Sequence, residues 1–179
     1  MKRNSLLSLL ASYEPEEGLE KEMYQDTVEF VQQHADCFER SLLPGHVTAS
    51  GWVLSKDKDA VLLMHHRKLD RWFQPGGHCD GDPDVQAVAE KEVLEETGIS
   101  DLNLLKSGIF DIDVHLIPAN KEVPAHYHYD VRFAFGIDSD QDIVLNSESK
   151  DVKWVPVSAV QDYHDSESIM RMVRKTTAL

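Results

Sequence analysis

Two rhythms of apolar residues run along this chain. Residues 126–137, HYHYDVRFAFGI, alternate with period two. Tyr127, Tyr129, Val131, Phe133 and Phe135 share one face, and His126, His128, Asp130 and Arg132 share the other. That pattern predicts a strand with one side on the core. Residues 47–55 and 60–66 are apolar and β-branched, and Lys56-Asp57-Lys58-Asp59 separates them. They read as a hairpin. Residues 102–106, 108–117 and 151–155 are shorter strand candidates, with loops at 118–125 and 138–149.

Helical spacing takes over elsewhere. Residues 5–13 place Leu6, Leu7, Leu9 and Leu10 on one side of a short helix, which Pro15 and Gly18 end. Residues 19–38 carry a stripe of Met23, Thr27, Phe30, Val31 and His34. Residues 156–175 hold the last helix, with Val157, Val160, Ile169, Met170 and Val173 facing inward. The remaining helix runs from Pro83 to Thr97, with Asp82 as its N-cap, Pro83 at its first position and Gly98 as its αL stop. Strands alternating with helices give an α/β fold with a mixed sheet. Residues 1–45 form a helical N-terminal appendage and residues 46–179 the main domain. The appendage either packs on that domain or makes a subunit interface, and the sequence leaves both open.

The central helix does not bury a purely apolar stripe. At about 100° per residue, Val85, Val88, Ala89, Glu92, Glu95 and Glu96 share one face. Glu92 stands at i,i+3 and i,i+4 from Glu95 and Glu96, where like charges repel. Taken alone, three acids are also compatible with a solvated helix face. Continuing a buried stripe, they need a partner, and a hard divalent cation such as Mg²⁺ supplies one through oxygen ligands.

Gln74 to Ile99, QPGGHCDGDPDVQAVAEKEVLEETGI, resembles the Nudix box, G-x5-E-x7-R-E-U-x-E-E-x-G-U. Gly77, Glu92, Val93, Glu95, Glu96, Gly98 and Ile99 match it. Pro83 stands where the box has its first glutamate, and Lys91 where it has arginine. These two normally support one another, so Asp80 or Asp82 is left to do that work, with Lys91 within reach of either. The resemblance implies an α/β/α sandwich over roughly residues 47–175. It also implies a Mg²⁺ or Mn²⁺ site of Gly77 (through its carbonyl), Glu92, Glu95 and Glu96, with the three glutamates as catalytic residues. A further acid from a loop beyond the box is common in the family. Glu148 is the candidate and Glu122 its competitor.

Other polar clusters keep several readings. His126 and His128 point the same way with Asp130 beyond, which suits substrate contact, a transition-metal site or a hydrogen-bonded patch. His78, directly after the glycines, is a candidate for the site mouth and substrate binding. His65 and His66 read as structural.

Charge and cysteine content narrow the partners. A net charge of −14 argues against a broad nucleic-acid-binding surface. The apolar run Leu6 to Ala11 is short and interrupted by Ser8, so it reads as a helix, not a signal peptide, and no run approaches a membrane span. Cys37 and Cys79 show no disulfide or zinc spacing and read as reduced thiols in the cytoplasm.

The leading function is metal-dependent hydrolysis of a diphosphate bond in a nucleoside diphosphate derivative, with a small-molecule nucleotide as substrate. An ADP-ribose-like compound is favoured because extended N-termini accompany homodimeric relatives that act on such compounds. The alternative is a catalytically weak or silent nucleotide-sensing module, suggested by Pro83 and Lys91. Isomerisation of an isoprenoid diphosphate has only Cys79 to recommend it.

Overall fold

The computed structural model describes residues 2–147 and 149–179. Helices α1 (Asn4–Ala11) and α2 (Leu19–Gln33) come first. Strands β1 (Gly45–Leu54), β2 (Ala60–His66), β3 (Arg71–Phe73) and β4 (Gly76–His78) lead into α3 (Val85–Thr97). Then follow β5 (Leu102–Leu104), β6 (Asp111–Ile117), β7 (His126–Ile137) and β8 (Ser149–Pro156), a 3₁₀ helix (Val157–Asp162) and α4 (Glu167–Thr176).

The sheet is mixed. β1 lies parallel to β7 from Gly45↔Tyr127 to Leu54↔Gly136 and is buried along its whole length. β6 and β5 pair antiparallel with β7, and β3 and β8 with β2. The hairpin expected from residues 47–66 closes at Leu54↔Val61 and then opens. β4 occupies the side of β1 that β2 leaves, through Ser50↔Gly76 to Thr48↔His78. Only glycine fits this inserted position, because a Cβ on Gly76 would lie 2.3 Å from the Ser50 Cβ.

Alternation along β1 and β7 sends side chains to two layers. Val47, Ala49, Val53, Val131, Phe133 and Phe135 join α3, through Val88, Ala89 and Val93, in one apolar cluster. Trp52, Leu54 and Ala134 join Val160, Ile169 and Met172 on the opposite side. Between them these layers make the α/β/α arrangement. Leu6, Leu10, Phe30 and Val31 of α1 and α2 belong to the first cluster, and the Phe30 ring stacks on Tyr129 at 4.0 Å. The N-terminal helices therefore pack on the sheet that carries the rest of the chain.

Two local expectations shift. The N-cap of α3 is Asp84, whose carboxylate accepts from the Ala87 N–H, while Asp82 accepts from the Asp84 N–H in a turn one step earlier. Pro83 disfavours helical backbone at Asp82, so the helix starts later. The single C-terminal helix is interrupted after Asp162, and Ser166 caps a fresh start by accepting from the Ile169 N–H.

Candidate metal and substrate site

The acids of α3 meet the glycine turn. The Gly76 N–H donates to Glu96 Oε2 at 2.9 Å, which fixes that buried carboxylate against the backbone. A Cβ on Gly77 would fall 2.6 Å from Glu92 Cδ, so glycine is what lets the Glu92 carboxylate lie on the turn. Glu95 is exposed and forms an ion pair with Lys91 at 3.3 Å. Lys91 thus pairs with Glu95 and not with Asp80 or Asp82, since i,i+4 on one helix is the shorter reach.

These groups line a cleft of roughly 860 Å³ that also takes in His78, His128, Thr48 and Ser50. Carboxylates and a turn carbonyl are oxygen donors only, the set that hard divalent cations favour. Glu92 and Glu96 are brought against the turn by glycines with no room for a side chain, so the residues present fit such an ion.

Arg40 was not legible as a site residue. It lies in the segment between α2 and β1, lines the cleft and makes a two-pronged ion pair with Asp80. That pair holds the Asp80 carboxyl below its ordinary range. An arginine–carboxylate pair thus stands beside the acids, but its arginine comes from the N-terminal region, some fifty residues before Lys91. Only the packing of that segment on the turn brings it there.

The histidines form one group. His46 on β1, His78 on β4 and His128 on β7 have ring centroids 4.8–5.0 Å apart. Burial lowers the pKa of all three, with His78 at about 4 and His128 at about 2, and neighbouring charges add to this. Burial thus favours the neutral form of all three rings. His46 is the member that sequence reasoning missed, because nothing in HVTAS marks it until β1 and β7 are in register. His126 is buried, and its Nδ1 lies 2.8 Å from the Pro124 carbonyl oxygen, behind His128.

Asp130 does not join the histidines. It accepts from the Thr48 and Ser50 hydroxyls and from Arg132 Nε. Arg132 also meets Asp111 and Asp113, and Arg171 of α4 binds Asp111 through two nitrogens. This buried ion network ties α4 to the floor of the cleft. Glu148 lies outside the described residues. Glu122 is exposed in a turn closed by Asn120 and is not among the residues that line the cleft. Cys79 is buried, and burial raises its thiol, so it is not a poised nucleophile. His65 stacks on Trp72 and pairs with Asp70, and His66 lines the cleft.

A family model, NUDIX domain, matches residues 44–174. Among curated relatives, the chain is 43% identical over 65 residues to Nucleoside diphosphate-linked moiety X motif 6 of Xenopus laevis, covering 33% of this chain and 30% of that protein. It is 30% identical over 122 residues to the Mycobacterium tuberculosis protein designated MutT4, covering 63% of this chain and 47% of that one. The chain thus spans less than half the length of each. Among solved structures, a C. elegans Ap4A hydrolase binary complex superposes with a TM-score of 0.61 at 19% identity, over 74% of this chain and 95% of that one. The E. coli dihydroneopterin triphosphate pyrophosphohydrolase gives 0.57 at 18% identity, over 72% and 92%. These likenesses establish a shared fold. With the family model spanning the sheet, the glycine turn and all three acids, the chain belongs to the NUDIX family.

Proposed function

We propose that this chain hydrolyses a diphosphate bond in a nucleoside diphosphate linked to another moiety, with Mg²⁺ or Mn²⁺ as cofactor. The observation that carries the reading is the seating of Glu92 and Glu96 on the Gly76-Gly77 turn at the wall of the cleft. Glu92, Glu95, Glu96 and the Gly77 carbonyl would hold the ion. When bound, it neutralises phosphate oxygens and lowers the pKa of a coordinated water. One of the three glutamates then takes the proton from the attacking water, with Glu148 as the further catalytic candidate. His78 and His128, which line the same cleft, bind substrate, with His126 backing His128. The cleft volume suits a nucleotide derivative. An ADP-ribose-like substrate remains the favoured member of that class, and the name of the Xenopus relative supports the wider class. We further propose the division into an appendage of residues 1–45 and a domain of residues 46–179, a homodimer as the assembly, and the cytoplasm, where the free thiols of Cys37 and Cys79 would stay reduced.

The test is a panel of dinucleotides, nucleotide sugars and nucleoside triphosphates with and without Mg²⁺. Release of nucleoside monophosphate is expected, lost with chelator and reduced at least about a hundredfold in Glu96→Gln. Full activity in that variant would sink the mechanism. A catalytically silent sensing module is the second reading, favoured by Pro83 and by the diversion of Lys91 to Glu95. Tight nucleotide binding without turnover on any substrate would decide for it.

A further inference from the structure

His46, His78 and His128 come from three strands that the sheet registers bring side by side. His46 is the direct partner of His128 in the parallel β1–β7 ladder, and His78 pairs with Thr48 two residues along β1. Each offers one ring nitrogen, and these atoms lie within 4.8 Å of one another. Clustering neutral rings needs no ligand. Two further facts do call for one.

His46 Nε2 and His128 Nε2 are both buried without a hydrogen-bond partner, and His46 as a whole is 2% exposed. Leaving one buried polar atom unsatisfied costs about 1–3 kcal/mol, so two at one spot need an explanation. The other nitrogen of His46, Nδ1, faces the Leu42 carbonyl oxygen at 3.5 Å. That contact favours a proton on Nδ1 and leaves the Nε2 lone pair directed away from it. Metal-binding histidines are commonly oriented in this way by a backbone carbonyl.

We propose that His46, His78 and His128 form a three-histidine site for a borderline divalent cation such as Zn²⁺, separate from the hard-cation site of Glu92, Glu95 and Glu96. Imidazole nitrogens select Zn²⁺ and the late first-row ions, whereas carboxylate and carbonyl oxygens select Mg²⁺ and Mn²⁺. Tetrahedral binding with Zn–N of about 2.0–2.1 Å sets the nitrogens about 3.3 Å apart. The nitrogens lie within 4.8 Å of one another, so binding would draw the three rings together by about 1.5 Å at most. His78 and His128 line the cleft whereas His46 sits behind them, so the fourth position of the ion faces the cleft. There it is open to water or to an anionic oxygen of the substrate. His115, with its ring 5.5 Å from His128 and its Nδ1 held by Asp113, flanks the trio.

The test uses the full chain, stripped of metal, titrated calorimetrically with Zn²⁺ in excess Mg²⁺. One Zn²⁺ per chain is expected. His78→Ala and His128→Gln, each checked for apo folding by far-ultraviolet circular dichroism, should weaken binding at least about tenfold. A Glu92→Gln/Glu96→Gln double variant should bind Zn²⁺ as the wild type does, which separates this site from the hydrolase reading. Co²⁺ on the wild-type chain needs no variant: nitrogen ligation at low coordination number gives intense visible bands, and an octahedral oxygen site gives weak ones. Unchanged Zn²⁺ affinity in both folded histidine variants, loss of binding in the glutamate double variant, or a weak octahedral Co²⁺ spectrum would each overturn the site.

Discussion

At Gly76 and Gly77, adjacent residues with the same side chain are required for different reasons. A Cβ on Gly76 would meet the Ser50 Cβ at 2.3 Å and the Ala49 carbonyl oxygen at 2.8 Å, both on a buried strand that cannot yield. The three atoms that a Cβ on Gly77 would meet first all belong to the Glu92 carboxylate, the far end of a flexible side chain. Gly76→Ala should therefore lower stability by about 1–3 kcal/mol through overpacking. Gly77→Ala should stay within about 1 kcal/mol of wild type while displacing Glu92 and weakening the Mg²⁺-induced rise in melting temperature. Urea unfolding without metal and thermal melts with it separate the two. Equal destabilisation by both would show that Glu92 is rigidly packed.

The cap of α3 gives a prediction at the scale of the element. Because Asp84 accepts from the Ala87 N–H, Asp84→Ala should cost about 1 kcal/mol. Asp82 holds only the Asp84 N–H in the preceding turn, so Asp82→Ala should cost about half as much. Chemical denaturation of the two single variants ranks them. The reverse order would restore the helix start that DPD suggests in sequence. α4 depends on a long-range contact instead. Arg171 is buried and grips Asp111 across from β6. Removing one member of such a network strands the other, so Arg171→Met should destabilise by about 3–5 kcal/mol. A loss under about 1 kcal/mol in urea unfolding would mean that Arg132 and Lys175 suffice for Asp111.

The same network gives the whole molecule an acid limit. Burial alone would raise the carboxyls of Asp111 and Asp113. The cations around them outweigh it and hold both below the ordinary range: Arg132, Arg171 and Lys175 about Asp111, and Arg132 and His115 about Asp113. Tyr13 and Glu20 from the N-terminal region also meet Lys175 there. The unfolded chain takes up these protons near pH 3.9, where the folded chain does not. The stabilisation is therefore fully present above about pH 5 and drains away as pH falls below the unfolded pKa, at up to about 1.4 kcal/mol per pH unit per group. The urea midpoint should begin to fall near pH 5 and drop most steeply below about pH 4, and Asp113→Asn should flatten that drop. A slope unchanged in the variant would place the acid sensitivity on other carboxylates.

Local pattern determined much of this protein. Alternation alone located β7 from His126 to Ile137 and put Val131, Phe133 and Phe135 in the core. Tyr127 is nonetheless exposed, and the polar face of Asp130 and Arg132 is buried as well, because the sheet is covered on both sides. Spacing from the Gly76-Gly77 turn to Gly98 located α3 and its acids, because both depend on backbone geometry within one stretch of chain. Tertiary structure decided what needs distant segments. The sheet, not the short polar turn, separates β1 from β2 and makes room for β4. The fold brings Arg40 to Asp80 across forty residues and His46 to His128 across more than eighty. Neither pairing leaves a periodic trace, since each partner sits alone in its own segment. A β-ladder register is set by the packing of whole strands, and that is a property of the folded sheet, invisible in any one window of sequence.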